Sequence, residues 1–393
     1  MASRAEMRPV TPRGVVFNGK FLSGPPKGLT RMASELIGHM DGLLAAQPDY
    51  GGVPSWELMC RPDATRRIPL QRISLRPSGV TRGDAWEQLD LPWLARGKLL
   101  VNLCNMAPLL SRGGIAVIHD AHVFLMPESH TASYAAWYRF ALPRVAAAAD
   151  RVLTVSEFSR RSLAAWGVAP AERITVVPNG GDHFLSVEAD ASTLARFGLR
   201  PHGYVLALAN AQKHKNVRVL MEAFRRPELA GLKLVLVGPD GAAAFAAQGA
   251  PPPANAVFAG MTSDPQLRTL YEYAVCLAFP SLLEGSGLPP LEAMSLGCPV
   301  AAAPCGALPE TCGVAAAYVD PCDAPAWAAA IRRFADDGDF RGRHVDLGRT
   351  HAAARLWRDG AARLLEIIAA TAAISSPRPA AAPGTILPAP VRP

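Results

Sequence analysis

The chain alternates short apolar runs with helical patterns along nearly its whole length, and this alternation limits the fold more than any other feature. The first half contains the runs VVF, LLVNLC, IAVIH, RVLTV and ITVVP. The second half contains YVLALA, KLVLVG, NAVFAG, VCLAFP and PVAAA. Runs this short, with room between them for crossover helices, predict parallel strands covered on both faces. We therefore expect an α/β protein.

A turn-rich segment between the two sets of runs predicts two domains. Segment 178–193 reads PNGGDHFLSVEADAST, and segments of this composition commonly link domains. A chain of 393 residues can form two doubly wound sheets. The boundaries that we predict are an N-terminal tail at 1–12, a first domain at 13–180, a linker at 181–200, a second domain at 201–355, a final helix at 356–374 and a disordered Pro- and Ala-rich tail at 375–393.

Composition restricts the class of protein less sharply. The net charge of +7 suits an anionic ligand or a membrane surface, and equally a basic soluble protein. Seven cysteines without a C-x-x-C pair indicate neither a disulfide framework nor a zinc ribbon. No run of 18 apolar residues occurs, and the N-terminus lacks the apolar core of a signal peptide. We expect a cytoplasmic protein, or one in peripheral contact with the inner face of a membrane.

The segment FPSLLEGSGLPPLEAMSLG, residues 279–297, places two carboxylates around a glycine loop. Pro289 and Pro290 stand where helices commonly begin, so the loop should present backbone N–H groups at a helix N-terminus, which attracts phosphate. Glu284 precedes the loop, and Glu292 is expected in the first helical turn. Carboxylates accept hydrogen bonds from hydroxyls. The segment therefore predicts a ligand with hydroxyls at both ends and phosphate between them, as in a nucleotide sugar.

Two other interpretations of this carboxylate pair stay open. Glu292 could simply complement the helix dipole while Glu284 is a solvated loop residue. A glycosidase pair needs carboxyl groups about 5 to 9 Å apart, whereas residues eight apart on one helix lie about 12 Å apart. The intervening loop weakens this objection without removing it.

The same segment resembles the Glu-x7-Glu motif of the family 4 retaining glycosyltransferases. The motif reads EGSGLPPLE and is followed by AMSLGCPVAAAPCGALPE and VDPCD. LANAQKHKNVRVLMEAF resembles the lysine motif of the family, and IHDAHVFLMPESH, RVLTVSEFSRRSL and VVPNGGDHF resemble its His-Asp, Val-Ser and PNG segments. The resemblance implies the GT-B fold, in which two Rossmann-like doubly wound domains face each other across a cleft and a C-terminal helix returns to the first domain. Bacterial mannosyl- and rhamnosyltransferases of polysaccharide biosynthesis are the most similar members.

The resemblance also implies roles for individual residues. Lys215 would bind the donor diphosphate, Glu284 the hydroxyls of the donor sugar and Glu292 the ribose, while His119 would align the donor sugar. The implied catalytic residues are His119, Lys215 and Glu284; the donor-binding residues are Lys213, Asn210, Gly285, Ser286, Gly287, Leu288, Glu292 and Gly28; the acceptor residues are Arg31 and Asp120. The family usually has an arginine shortly before its lysine, but this chain has Ala209 and Ala211 there.

Histidines and acids in the first domain also raise the question of a metal. His119, Asp120 and His122, with Glu128 and His130 nearby, form a loose set of metal-ligand types. The resembling fold works without metal. We therefore expect no metal and no cofactor, with the nucleotide diphosphate sugar as donor substrate.

The function that we predict is transfer of a hexose, mannose from GDP-mannose above all, with retention of configuration. Its partners would be the nucleotide sugar and a saccharide or lipid-linked acceptor, and no nucleic acid. A non-catalytic GT-B scaffold that binds nucleotide is the alternative that the missing arginine favours, and an epimerase acting on nucleotide sugars is another. The arginine-rich segment RPDATRRIPLQRISLRPSGVTR, residues 61–82, is a candidate for membrane contact or an ordinary solvated loop.

Overall fold

The computed structural model describes residues 13–24, 28–208 and 210–374 and contains two parallel sheets. The strands are β1 (Val15–Asn18), β2 (Trp56–Cys60), β3 (Ser74–Pro77), β4 (Leu99–Asn102), β5 (Ile115–Val117), β6 (Arg151–Thr154), β7 (Ile174–Val176), β8 (Tyr204–Leu208), β9 (Lys233–Val237), β10 (Ala256–Gly260), β11 (Leu277–Phe279), β12 (Val300–Ala302) and β13 (Ala316–Tyr318). The sheet orders are β3-β2-β1-β4-β5-β6-β7 and β10-β9-β8-β11-β12-β13. This arrangement confirms the α/β fold with two Rossmann-like domains.

Helices cover the faces of both sheets. They are α1 (Gly28–Ala46), α2 (Gly83–Ala85), α3 (Leu91–Leu94), α4 (His122–Leu125), α5 (Ala132–Ala148), α6 (Glu157–Ala165), α7 (Thr193–Arg196), α8 (Val217–Ala223), α9 (Ala242–Ala247), α10 (Asp264–Glu272), α11 (Leu288–Ser295), α12 (Leu308–Cys312), α13 (Ala324–Asp336), α14 (Gly338–Ala353) and α15 (Trp357–Ala372). Side-chain hydrogen bonds cap the N-termini of α6 and α10. The Ser156 hydroxyl accepts from the Ser159 amide before α6, and Ser263 forms a capping box with Gln266 before α10.

The last helix, α15, packs on the first domain although it follows the second domain in the chain. Its Trp357 and Leu365 are fully buried in one core with Phe17 of β1 and Leu36 of α1. Burying a tryptophan removes about 150–250 Å² from water. This apolar contact therefore holds α15 against α1 and ties the two domains together.

The carboxyl ends of the central strands of both sheets meet at the cleft between the domains. The hydroxyls of Ser156 and Ser159, before and within α6, donate to the Gly285 carbonyl of the second domain at 2.6 and 3.1 Å. The Gln212 amide reaches back from the second domain to the Ser129 carbonyl at 3.2 Å. Ligands of doubly wound folds bind at this edge of the sheets, so these contacts locate the candidate site.

Two further features of the described residues bear on the class of protein. None of the helices within them is long and apolar enough to cross a membrane. The cysteines are free thiols, and those that are buried are Cys60, Cys276, Cys298 and Cys312. Burial raises the pKa of the Cys298 thiol to about 12, so this side chain packs as a small apolar group.

The predictions for the chain ends concern residues outside the described ranges. The N-terminal tail at 1–12 and the tail at 375–393 fall on residues that are not described, as does Ala209. The boundaries between the two domains and the linker remain predictions.

Candidate active site

Lys215 and Glu284 come together at the centre of the cleft edge of the second domain. The Lys215 Nζ lies 2.7 Å from Glu284 Oε1, and the two side chains are 21% and 15% exposed. Asn216 follows with a left-handed backbone, φ 50°, and its amide donates to the carbonyls of Pro280 and Pro321. These bonds fasten the lysine turn to the segment that follows β11. The structure therefore brings these two predicted residues into one partly buried ion pair.

The glycine loop after Glu284 begins α11 and faces the first domain. Gly287, with φ 81°, precedes the helix as its cap, and prolines occupy the first turn. Among the described residues, the amides of residues 285–287 donate no hydrogen bond, so they are available to an anion at a helix N-terminus. The Ser286 hydroxyl accepts from the Asn179 amide at 2.8 Å. The loop is thus held by the first domain while its N–H groups stay free.

Gly285 lies in a position that admits no side chain. A Cβ added to Gly285 would lie 2.7 Å from the Asp120 Cβ of the first domain, which is closer than such atoms approach. Asp120 itself accepts from the His122 amide at 2.9 Å. Asp120 and the glycine loop are therefore in direct contact across the cleft, and the absence of a side chain at Gly285 lets the domains close to this extent.

Glu292 is not in the first turn of its helix, so that prediction is wrong. Because the left-handed Gly287 starts α11 at Leu288, Glu292 is the fifth helical residue and turns into the protein. Its carboxylate accepts from the Tyr271 hydroxyl at 2.8 Å and lies 3.3 Å from His183 Nε2. Glu292 therefore lies buried between the Tyr271 phenol and the His183 imidazole. Its role at the ribose stays a prediction.

His119 follows β5 and is buried with a defined orientation. Its Nε2 lies 2.8 Å from the Leu103 carbonyl, and its amide donates to Asn105 Oδ1 at 2.8 Å. Burial lowers the pKa of His119, so the imidazole is neutral and donates through Nε2. The unprotonated Nδ1 is then left to accept a hydrogen bond from a hydroxyl.

Three histidines form a contact between the domains that the sequence did not reveal as a unit. The His122 ring packs edge-on against the rings of His214 and His130, with distances between ring centres of 4.3 Å and 4.9 Å, respectively. His122 Nε2, His130 Nε2 and His214 Nδ1 are buried and have no hydrogen-bond partner among the described residues. His214 lies between Lys213 and Lys215 and turns inward from the short helix that the three residues form. The sequence signal available for this cluster was a histidine between two lysines, His214 in the segment KHK.

The histidines do not assemble a metal site. Within the described ranges, no three His, Cys, Asp or Glu side chains are placed to hold one metal ion. The contact between His122 and His214 is an apolar and aromatic one that joins the domains beside Lys215.

We predict that this cluster makes the fold sensitive to acid. Burial lowers the pKa of His122 and His130, and lowers that of His214 from 6.5 to about 2. The unfolded chain takes up protons below pH 6.5 while the folded chain does not, so stability is complete above that pH and falls as the pH drops toward the folded pKa values. Each group contributes at most about 1.4 kcal/mol per pH unit.

Thermal unfolding between pH 7.5 and 5 tests this prediction. We expect the melting temperature to fall with acidification and the His214→Gln variant to show a shallower dependence on pH. A melting temperature that stays constant over this range in the unaltered protein would contradict the prediction.

The remaining predicted residues make contacts outside the Lys215–Glu284 pair. Lys213 is exposed, and Asn210 bonds the Gln212 side chain at 2.7 Å. Gly28 begins α1 with φ 23°, and a Cβ there would meet nothing within 4 Å. Arg31 reaches Asp264 of the second domain at 2.5 Å.

The chain matches two family models that together span both domains. Residues 100–183 match the model described as Glycosyltransferase Family 4, and residues 202–337 match the model described as Glycosyl transferases group 1. The matched ranges include Asp120 and His119 in the first domain and Lys215, Glu284 and the glycine loop in the second.

Similar proteins point the same way. The O-antigen chain mannosyltransferase B of Escherichia coli is 30% identical over 237 residues, which are 58% of this chain and 62% of that protein. The O-antigen chain mannosyltransferase RfbU of Salmonella typhimurium is 26% identical over 239 residues, which are 60% of this chain and 64% of that protein. The chain thus spans slightly less than two thirds of the length of either relative.

Solved structures support the fold. HepE from Anabaena, solved in complex with UDP and glucose, has a TM-score of 0.67 at 19% identity, covering 90% of this chain and 99% of that chain. A likeness at this identity concerns the fold. The two family models show that the chain belongs to the glycosyltransferases, with a family 4 domain followed by a group 1 domain, and its two parallel sheets share the GT-B architecture of these structures.

Proposed function

We propose that this chain is a retaining mannosyltransferase that moves mannose from GDP-mannose to a saccharide or lipid-linked acceptor in bacterial polysaccharide synthesis. The observation that carries the proposal is the Lys215–Glu284 pair beside free loop amides at the N-terminus of α11. The sugar is suggested by the mannosyltransferases among the similar proteins. The resemblance to family 4 suggests retention.

Each part of the site has a distinct task in this proposal. The amides of residues 285–287 and the Lys215 ammonium bind the diphosphate, so that Lys215 exchanges the Glu284 carboxylate for phosphate oxygens. Glu284 is then free to accept from the hydroxyls of the donor sugar. Because the ammonium and the amides are already in place in a partly buried site, they offset the charge that develops on the leaving diphosphate without large reorganisation.

The transfer step proceeds on one face of the sugar. The bond between the anomeric carbon and the β-phosphate oxygen breaks while the acceptor hydroxyl oxygen attacks from the same face. The proton of that hydroxyl passes to the departing phosphate oxygen, so a nucleoside diphosphate leaves and no protein nucleophile is needed. His119, neutral and fixed by the Leu103 carbonyl, would align the sugar through Nδ1.

The alternatives make different predictions at the same site. A scaffold protein would bind nucleotide without turnover, and an epimerase would change the sugar without releasing nucleoside diphosphate. The intact ion pair between Lys215 and Glu284 favours a transferase over a scaffold, because a degenerate site has no need to preserve both partners. We also propose that the reaction needs no metal, so that EDTA leaves the rate unchanged.

The stereochemistry of the product tests the reaction class. We expect proton NMR of the product formed from GDP-α-mannose to show an α-linked mannose. A β-linked product would refute retention, and an altered sugar still attached to nucleotide would support the epimerase.

We further propose peripheral contact with an anionic membrane through α5 in the first domain. Tyr134, Trp137 and Phe140 are 41%, 45% and 47% exposed, although each is aromatic. The helix carries Arg139 and Arg144 and no acidic residue, and the Arg144 guanidinium lies 3.6 Å from the centre of the Phe140 ring. Exposed aromatic side chains among arginines suit the interface of an anionic bilayer.

Vesicle sedimentation tests this contact. We expect the Trp137→Ser/Phe140→Ser variant to bind phosphatidylglycerol vesicles several-fold more weakly than the unaltered protein. Tyr273→Ser is the matched control, since Tyr273 is an aromatic residue of the second domain and is 41% exposed. Equal losses in both variants, or none in either, would contradict the assignment to α5.

A further inference from the structure

Two arginines of the first domain lie together at the cleft. Arg31 is on the first turn of α1, and Arg66 follows β2, the strand that pairs with β1. Both positions are at the carboxyl edge of the first sheet. The Arg31 Nη2 lies 2.5 Å from Asp264 Oδ1 at the start of α10, so this edge faces the second domain directly.

The second domain supplies part of the negative charge beside this cluster, from Asp264 and, more distantly, from Glu292. Arg31 lies 3.6 Å from Glu35 of its own helix and receives its second carboxylate, Asp264, from the opposite domain. Burial and then the nearby Arg31 charge lower the pKa of Arg66, while Asp264 and Glu35 oppose this effect. Separation of the two domains would remove Asp264 from this cluster. The first domain then presents two guanidinium groups with one carboxylate.

The Arg66 guanidinium is also incompletely bonded. Its Nη2 donates to the Ser34 hydroxyl at 2.9 Å, but its Nη1 is buried and has no partner among the described residues. A buried donor without a partner costs about 1–3 kcal/mol. The site therefore offers an oriented and unused donor next to the Arg31 guanidinium, whose own partner is a carboxylate from the other domain.

We infer that Arg31 and Arg66 bind a phosphate group of the acceptor, and that the Asp264 carboxylate competes with this phosphate for the Arg31 guanidinium. This inference rests on the proposed function, because it assigns the donor to Lys215 and the glycine loop of the second domain. Guanidinium groups match phosphate oxygens in geometry and charge. The acceptor is accordingly a phosphorylated saccharide, whether its phosphate joins the sugar to a lipid or stands free.

Transfer assays with paired acceptors test the inference. One acceptor carries phosphate or lipid diphosphate at its reducing end, and the other is a neutral alkyl glycoside with the same terminal sugar. Removing one charged hydrogen bond corresponds to about ten-fold or more in affinity. We expect Arg66→Gln to raise KM about ten-fold or more for the phosphorylated acceptor alone. Asp264→Asn should lower that KM, because it removes the competing carboxylate.

The controls separate this inference from folding and from donor binding. Arg67→Gln removes a neighbouring exposed charge whose guanidinium donates to the backbone carbonyls of Ala64 and Arg66, and it should change no KM. The inference fails if Arg66→Gln alters the KM for both acceptors equally, alters the KM for the donor, or has no effect. It also fails if Asp264→Asn raises the KM for the phosphorylated acceptor. Equal responses to phosphorylated sugar and lipid diphosphate would show that the phosphate alone is recognised.

Binding of inorganic pyrophosphate provides a test that does not depend on turnover. In the Lys215→Ala background, which weakens the donor site but leaves the loop amides, we expect residual pyrophosphate binding that Arg66→Gln weakens and Asp264→Asn strengthens. Residual binding that is unaffected by Arg66→Gln would overturn the inference even if no acceptor is ever turned over. Failure of transfer with intact pyrophosphate binding would instead count against the proposed function.

Discussion

Replacing Lys215 with alanine should lower kcat/KM for sugar transfer on the order of 10²–10³-fold, the usual effect of removing one preorganised charge from a transition state. The Lys215 ammonium is 2.7 Å from Glu284, and the lysine side chain is only 21% exposed. A cation from the solvent therefore cannot easily take its place. Release of nucleoside diphosphate, measured at several donor concentrations, gives kcat and KM separately. We expect most of the loss in kcat, because the leaving diphosphate gains charge as the sugar bond breaks.

The chain offers a matched control for this substitution. Lys98 and Glu57 form an ion pair of similar length, 2.6 Å, with side chains 31% and 14% exposed. This pair lies at the amino ends of β2 and β4, on the edge of the first sheet opposite the cleft. Lys98→Ala should therefore match Lys215→Ala in its effect on melting temperature and leave transfer unchanged. Similar rates for the two variants would refute the role assigned to Lys215.

Replacing Gly180 with alanine should destabilise the protein by about 1–3 kcal/mol through overpacking. A Cβ at this position would lie 2.1 Å from the backbone nitrogen of Trp357 and 2.6 Å from the carbonyl carbon of Leu356. Both contacts are with backbone, which cannot rotate away. The start of α15 must therefore move off the turn between the domains, and the fully buried Trp357 must move with it.

Denaturant unfolding of Gly180→Ala measures this effect, with Gly338→Ala as the control. Gly338 begins α14, and a Cβ there would meet nothing within 4 Å. The control substitution should be neutral or stabilise by up to about 1 kcal/mol, since it reduces the freedom of the unfolded chain. Equal unfolding midpoints for the two variants would show that α15 is not seated on Gly180 as described.

Apolar runs in the sequence predicted most of the strands but missed β2, β3 and β13. β2 reads WELMC, and its Glu57 interrupts the run while it pairs with Lys98. β3 reads SLRP at the exposed edge of the first sheet, and β13 reads AAY and has only three residues. Apolar runs marked the edge strands β7 and β10, but they did not mark the polar edge strand β3 or the short edge strand β13.

The candidate site was predictable where family motifs marked it and not where it depends on closure of the cleft. The motif resemblance anticipated Lys215 and Glu284 together, although the sequence separates them by 69 residues. The contact of Arg31 with Asp264 spans 233 residues and two domains, and neither residue lies in a motif that requires the other. Glu292 was misplaced because the left-handed backbone of Gly287 sets the start of α11.

The most direct test of the central claim is release of GDP from GDP-mannose in the presence of a lipid-linked saccharide, compared with UDP-, ADP- and dTDP-sugars under the same conditions. We predict acceptor-dependent release from GDP-mannose, little release from the other donors, and loss of release in Lys215→Ala. Tight binding of a nucleotide without release from any donor, with every acceptor supplied, would contradict the account and favour a scaffold. Selective release from another donor would retain the transferase and refute the assignment of GDP-mannose.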